Sequence, residues 1–340
     1  MSGTQLSAAW DRYDLGTNVR EDLMDAIFLV SREETPFLST IGKQKANSNY
    51  VEWMTDSLAS PGANAWVDGF TFSADTPTAT LRMGNYCQIS AKQLRVTRRA
   101  DIVDKAGRKS EMARLITKKG VELKRDIEYT LLSNTAAAVG TATAAPTTAG
   151  YPAWIRTNDS RSALGSPADP TLSSTTYGYP NAAATDGTDR ALSEAYITDV
   201  IRSCWTNGGK PNILMMGPQV KQQFSKYMFT ANARIATPYQ DHGANKKSGL
   251  SVVGAVDVYV SDFGAFDIVP NYCQPREDDL FVIDPEYWAV AWLTPITVQE
   301  IGKSGDAVDK MMVADYALVC KNQASSGIVA DIDETVAMTS

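Results

Sequence analysis

Read for alternation of apolar and polar positions, the chain shows a first clear pattern at Tyr50-Val51-Glu52-Trp53-Met54-Thr55-Asp56, which suits a strand. A loop rich in Ser, Pro, Gly and Asn follows over 57–69, and a second extended run covers about 78–97. The spacing then predicts a helix over 108–134, where Met112, Leu115, Ile116, Leu123, Ile127 and Leu131 share one stripe of a 3.6-residue period. At 1.5 Å per residue, roughly 27 residues reach about 40 Å, enough to run along one edge of a domain. A hairpin as long as 50–97 cannot bury itself, and exposed strand edges invite pairing with another chain. The pattern points to a protein that assembles with its own copies rather than to a small-molecule enzyme.

The flanking regions read differently. Residues 1–45 form an arm, with a helix capped by Thr17 or Asn18, acids Glu21 and Asp22 in its first turn, and Val19, Leu23, Ile27 and Val30 on one face. Thr35-Pro36-Phe37 stops it. A lone helix of this length is marginal, so it must dock on the body or on a neighbour. Residues 135–189 are mostly Ala, Thr, Gly, Ser and Pro, too long for a plain connection, and read as an inserted loop region that docks through Trp154. A second globular region has a helix over 192–205 ended by Gly208-Gly209, a strand over 213–216, and a helix from Gly217-Pro218 to about 228. Two strands follow over 251–270, with Val256, Val258 and Val260 facing one way and Asp257, Tyr259 and Ser261 the other. Strands are predicted at 280–284, 287–293, 296–301 and 311–321, with a hairpin turn over 302–309. Met312, Ala314, Tyr316, Leu318 and Cys320 alternate with Val313, Asp315, Ala317 and Val319, which fits a sheet packed on one side with the long helix as its partner. The fold class is α+β, helix on antiparallel sheet, with residues 190–272 as a second lobe.

Composition narrows the chemistry. A hydrophobic content of 44% and a charged content of 21% are those of a soluble globular protein. No apolar run approaches the ~18 residues of a membrane span, and the first 15 residues lack a signal-peptide pattern. Cys87, Cys204, Cys273 and Cys320 show no CxxC spacing and read as buried, reduced thiols of a cytosolic setting. The single histidine, His242, sits in a polar turn-like stretch, which removes most His-based metal sites and triads. Gly302-Lys303-Ser304 resembles the end of a phosphate loop, but Thr297 stands where its first glycine belongs, and a hairpin turn is the better reading. Asp306 and Asp309 are read as solvated carboxylates of that turn. No catalytic, cofactor-binding or metal-binding residue is assigned.

Charge is uneven. Residues 92–125 hold 12 Lys/Arg against 4 Asp/Glu, a net of +8 on a chain totalling −7, so the remainder carries −15. Such a belt suits an anionic partner or an acidic face of a neighbouring subunit. Lys118, Lys119, Lys124 and Arg125 either contact nucleic acid or form a solvated face with i,i+4 pairs, Lys118 with Glu122 and Lys124 with Glu128. Trp53 and Trp66, near a protruding loop that includes Pro61 and Asn64, are either core residues or inter-subunit anchors.

The order of parts resembles the tailed-phage major capsid proteins. The stretches that carry the likeness are Glu33-Glu34-Thr35-Pro36-Phe37-Leu38 with Gly42-Lys43, Glu52-Trp53-Met54-Thr55-Asp56-Ser57-Leu58, Gly208-Gly209-Lys210-Pro211, Ser261-Asp262-Phe263-Gly264, and Asp284-Pro285 leading to Lys303-Ser304-Gly305-Asp306. The resemblance implies the Hong-Kong-97-type fold: N-terminal arm 1–45, extended β loop 46–100, spine helix of the peripheral domain 101–134, insertion 135–190, axial lobe 191–279 and returning peripheral strands 280–340. It implies a structural role in hexamers and pentamers of an icosahedral shell around double-stranded DNA, assembled in the host cytoplasm. The loop, with Trp53, Trp66, Pro61 and Asn64, would lap an adjacent subunit, and Lys118, Lys119, Lys124 and Arg125 would face packaged phosphates. Only about 45 residues precede the β loop, which implies a separate scaffolding protein; a portal and a decoration protein are further expected partners, and no membrane is. No lysine–asparagine pair for covalent cross-linking is identified. The runner-up is another self-assembling phage part, a tail-tube or portal-associated protein, against which the long helix argues.

Overall fold

The computed structural model describes residues 32–71, 79–103, 110–174, 177–231, 256–302 and 305–339. Pro36, whose fixed φ suits a first helical position, opens the short helix α1 (Pro36–Thr40), and β1 (Gly42–Lys45) follows. β2 (Tyr50–Thr55) and β3 (Leu81–Tyr86) pair antiparallel, with Tyr50 opposite Tyr86 and Thr55 opposite Leu81. β4 (Gln88–Thr97) leads into α2 (Arg98–Ile102) and then the 22-residue α3 (Glu111–Leu132). Short elements follow: α4 (Tyr151–Trp154), β5 (Asp159–Ser160), β6 (Thr171–Leu172) and β7 (Pro180–Ala182). Next come α5 (Glu194–Thr206), β8 (Ile213–Met216) and α6 (Pro218–Ala231). The chain finishes with β9 (Val258–Ser261), β10 (Gly264–Pro270), β11 (Leu280–Ile283), β12 (Trp288–Ile301), β13 (Ala307–Cys320) and β14 (Gly327–Val329).

Two sheets organise these elements. The first has four strands in the order β1-β12-β13-β4, antiparallel except for β1, which runs parallel to β12. Met312, Ala314, Tyr316 and Leu318 of β13 share a core with Met112, Leu123, Ile127 and Leu131 of α3, so the helix stripe meets the sheet face that alternation predicts. Val319 and Ala317 point the other way and join Ala289, Ala291, Ala46 and Cys87 in a smaller cluster. The second sheet has six strands, β5-β14-β11-β8-β10-β9, of mixed direction. Its central strands β8 and β11 are buried at every position. Leu214, Met216, Leu280 and Val282 face the core under α5 and α6, while Ile213, Met215, Phe281 and Ile283 face the core shared with α3. A strand covered on both faces has no polar phase, which is why both read as continuous apolar runs.

The structure departs from the sequence reading at specific places. The extended run 78–97 is two strands in two different sheets, joined through the single residue Cys87. The two strands expected at 287–301 are one, whose ladder is irregular between Trp292 and Thr297, around Pro295, which has no amide hydrogen to give. Strands β11 and β14 lie in the six-stranded sheet and not with the long hairpin β12–β13. In β9 the expected alternation holds, with Tyr259 on the buried side and Val258 and Val260 on the exposed one. The helix drawn through Val19, Leu23, Ile27 and Val30 lies outside the described residues, as do His242, Lys303 and Ser304; residues 32–35 are not helical.

The largest difference concerns 135–190. Its segment 149–155 docks through Trp154 as expected but goes deeper than a surface island, into the core itself: Ala149, Tyr151, Ala153, Trp154 and Ile155 are fully buried. The Tyr151 ring meets Trp288 (4.6 Å), Phe281 (5.0 Å) and Phe37 (5.9 Å), and its hydroxyl lies 2.9 Å from the Val282 carbonyl and 3.0 Å from that of Gly327. One side chain therefore ties the α1 segment to both sheets.

Candidate functional site

The ribbon β2–β3 projects from this body, and residues 56–71 at its end are all exposed. Leu58 is 99% exposed, Val67 77%, Trp66 58% and Phe70 46%. Among the described residues, Trp66 meets the Phe70 ring (4.6 Å) and donates its Nε1–H to Asn64 Oδ1 (2.5 Å); Pro61 is exposed in the same loop. Several large apolar side chains left exposed in one loop mark a surface for association.

The root of the ribbon is the opposite. Asn85 is completely buried and donates from Nδ2 to the Leu318 carbonyl (2.7 Å) and to Thr148 Oγ1 (3.0 Å), while its Oδ1 accepts from the Ala149 amide (3.0 Å). Trp53 stacks at 5.5 Å on Trp154, so it is engaged within the chain. Tyr50, Tyr86 and Tyr179 form a cluster with centroids 4.6–6.2 Å apart, and Gly84 leaves room for the Tyr50 ring: a Cβ there would sit 2.4 Å from the Tyr50 oxygen. Backbone bonds between Gly84 and Gly178 (3.0 Å) and between Gly178 and Arg82 (3.0 Å) add a second edge to β3.

The charged helix resolves into two groups. Lys118 and Lys124 are exposed and have no ion-pair partner among the described residues. Lys119 pairs with Glu122 (2.6 Å), which holds that carboxyl below its ordinary value. Arg125 lies over the Tyr272 ring (5.0 Å) and donates to the Tyr272 hydroxyl. Neither i,i+4 pair expected from the sequence forms. Glu122 takes Lys119 instead of Lys118, and Glu128 turns inward, away from Lys124.

Glu128 is a residue that sequence reasoning assigned to the surface. Its Oε1 accepts from the Phe37 amide (2.7 Å) and from Asn271 Nδ2 (2.7 Å), and its Oε2 accepts from the Leu38 amide (2.7 Å). Those two amides belong to the first turn of α1, where no intrahelical acceptor exists, so a carboxylate from α3 caps another helix. Burial raises its carboxyl above the ordinary value, although all three hydrogen bonds act in the opposite direction.

The remaining candidate chemistry is structural. Asp309 accepts two bonds from Arg95 (2.7 Å each) and Asp306 one from Arg98 (2.8 Å), so the two turn carboxylates are ion-paired where solvation was expected. All four cysteines are buried and unpaired, and burial pushes their thiols up, Cys87 to about 11 and Cys204 to about 12, which leaves little thiolate near neutral pH. Among the described residues, no three His, Cys, Asp or Glu side chains group as metal ligands, and no helix is long and apolar enough to cross a membrane.

Comparison with known proteins agrees with this geometry. A major capsid protein of Escherichia phage Phieco32 is 27% identical over 334 residues, covering 89% of this chain and 91% of the relative. The Cyanophage A-1(L) capsid superposes with a TM-score of 0.62 at 14% identity, covering 94% of this chain and 98% of that one. The SrpI encapsulin of Synechococcus elongatus, solved as a holo complex, superposes at 0.59 and 9% identity, covering 98% and 99%. These likenesses establish a common fold. The model of the SU10 major capsid protein family matches residues 3–333, nearly the whole chain. The chain belongs to the SU10 major capsid protein family and is a structural protein of the phage virion.

Proposed function

We propose that many copies of this chain form the hexamers and pentamers of an icosahedral head around packaged double-stranded DNA, and that residues 56–71 lap onto an adjacent subunit. The observation that carries this reading is the projecting ribbon: its root is fixed in the core, and its tip holds Leu58, Trp66, Val67 and Phe70 in solvent. Burying such side chains in an interface stabilises by about 1.5–3 kcal/mol each. Trp66, with Pro61 and Asn64, is the anchor, and Trp53 sets the direction of the ribbon from within. The exposed Lys118 and Lys124 face packaged phosphates, while Lys119 and Arg125, already engaged, contribute less. A separate scaffolding protein, a portal and a decoration protein are the further partners of this role, which calls for no catalysis, cofactor or membrane.

Negative-stain microscopy of the protein, expressed alone and with a candidate scaffold, tests the reading. Closed shells support it; tubes or a dispersed monomer refute it. Trp66→Ala, or deletion of residues 60–64, should abolish shells while circular dichroism stays unchanged. Global unfolding of either variant would refute the lapping role.

A further inference from the structure

A cleft of about 390 Å³ opens between α3 and the segment after β10, lined by Lys92, Glu122, Arg125, Asp126, Tyr129 and Tyr272, among others. Its size is within the ~300–1,000 Å³ range of ligand clefts. Its walls carry two cations, two carboxylates and two half-exposed tyrosine rings, Tyr129 at 54% and Tyr272 at 49%. Lys92 is paired with Asp126 (2.5 Å), and Arg125 is stacked on Tyr272. Balanced charge between aromatic walls disfavours a phosphate backbone and suits a peptide with apolar side chains and charges of both signs.

A second, smaller crevice shares Tyr272 with the cleft, and its other walls are Arg32, Glu34, Pro36 and Pro270. These include the first described residues of the chain. Just downstream, the amides of Phe37 and Leu38 are held by Glu128, which also holds Asn271, the neighbour of Tyr272. The α1 segment is therefore bound to the same two elements that wall the cleft. The sequence before Arg32, Arg20-Glu21-Asp22-Leu23-Met24-Asp25-Ala26-Ile27-Phe28-Leu29-Val30-Ser31, carries one cation, three acids and an apolar run ending at Val30.

We propose that the N-terminal segment of the chain, residues 1–31, docks in this cleft, with its apolar run against Tyr129 and Tyr272. A short tether from Arg32 gives that segment an effective concentration on the order of millimolar, which a free peptide would not reach. The assignment moves Arg125 from the DNA-facing set to a peptide-binding wall, and it stands or falls independently of whether the loop at 56–71 laps a neighbour.

The test is photo-cross-linking in the full-length protein with p-benzoylphenylalanine in place of Tyr129, an exposed position, followed by peptide mapping. Cross-links to peptides within residues 1–31 are expected. Cross-links only to other segments, or none, would overturn the proposal. Independently, Tyr129→Ala should make tryptic cleavage after Arg12 and Arg20 roughly tenfold faster, as local docking free energy is lost, with the digestion pattern of the body unchanged. An unaltered cleavage rate at those two sites would overturn it as well.

Discussion

Substituting Glu128 by alanine removes one carboxylate and three bonds at once, and the structure says where the loss falls. The Phe37 and Leu38 amides sit in the first turn of α1 and have no intrahelical acceptor, and both residues are buried. Hydrogen bonds to a charged group net about 1.5–3 kcal/mol each, so two amides account for about 3–6 kcal/mol. Pro36, at the helix start, is partly exposed, so water enters to replace part of this, and about 3 kcal/mol is the working figure. At about 1.4 kcal/mol per decade, the opening constant of α1 rises roughly a hundredfold. Amide hydrogen exchange at Phe37 and Leu38 reads this directly. The reasoning predicts a rise of that order in Glu128→Ala, a smaller one in Glu128→Gln, whose carboxamide keeps one acceptor oxygen, and none in Glu122→Ala. Exchange in Glu128→Ala within about threefold of the parent would refute the capping role, since the bonds would then carry less than about 0.7 kcal/mol.

Other expectations follow from the same geometry. Asn85→Ala strands the Leu318 carbonyl, the Ala149 amide and Thr148, and should cost about 2–4 kcal/mol, lowering Tm by roughly 3–6 °C; a Tm within about 1 °C of the parent would contradict the pinning role. Asp279 is fully buried beside Arg276 (Nε to Oδ2 3.2 Å), and burial pushes its carboxyl up to about 8. Because the folded value lies above the unfolded one, its contribution to stability is complete at low pH and is lost as pH rises through about 8. Asp279→Asn should flatten the fall of Tm between about pH 5 and pH 9, and an unchanged slope would exclude Asp279 as its source. Replacing Lys118 and Lys124 by glutamine should reduce the salt slope of DNA retention by about 1.8, two phosphate contacts' worth; an unchanged slope assigns both to solvent.

What was legible in the sequence was what repeats with a period. Met112, Leu123, Ile127 and Leu131 announced the buried side of α3, and the alternation from Met312 to Cys320 announced the sheet face it covers. For Trp53 and Trp66 the sequence left core and surface open; the structure buries part of Trp53 against Trp154 and leaves Trp66 exposed. Three things were hidden, each for a physical reason. The extended run continues through Cys87 although the strand changes partner there, because an extended pattern records backbone conformation and not neighbours. Glu128 four residues after Lys124 looks like a surface pair, and only the tertiary approach of α1 shows the two amides that draw it inward. The segment around Tyr151 lies in a region of small residues whose composition matches a loop, yet small side chains are also what let a backbone thread between two sheets. Gly150 marks the tightness of that passage, since a Cβ there would fall 1.9 Å from the Ser133 carbonyl oxygen.

The ribbon that carries Trp66 is bolted at its base through Asn85, through Trp53 on Trp154 and through the Gly178 bridge, while residues 56–71 toward its tip are exposed. A partner arriving at the tip finds the heading of the whole pointer already settled. In the proposed lapping role, a base fixed in advance keeps the entropy lost at each junction small and lets modest apolar area hold it closed. Repeated around a closed assembly, such a bracket would set the angle at which one copy meets the next from its own base.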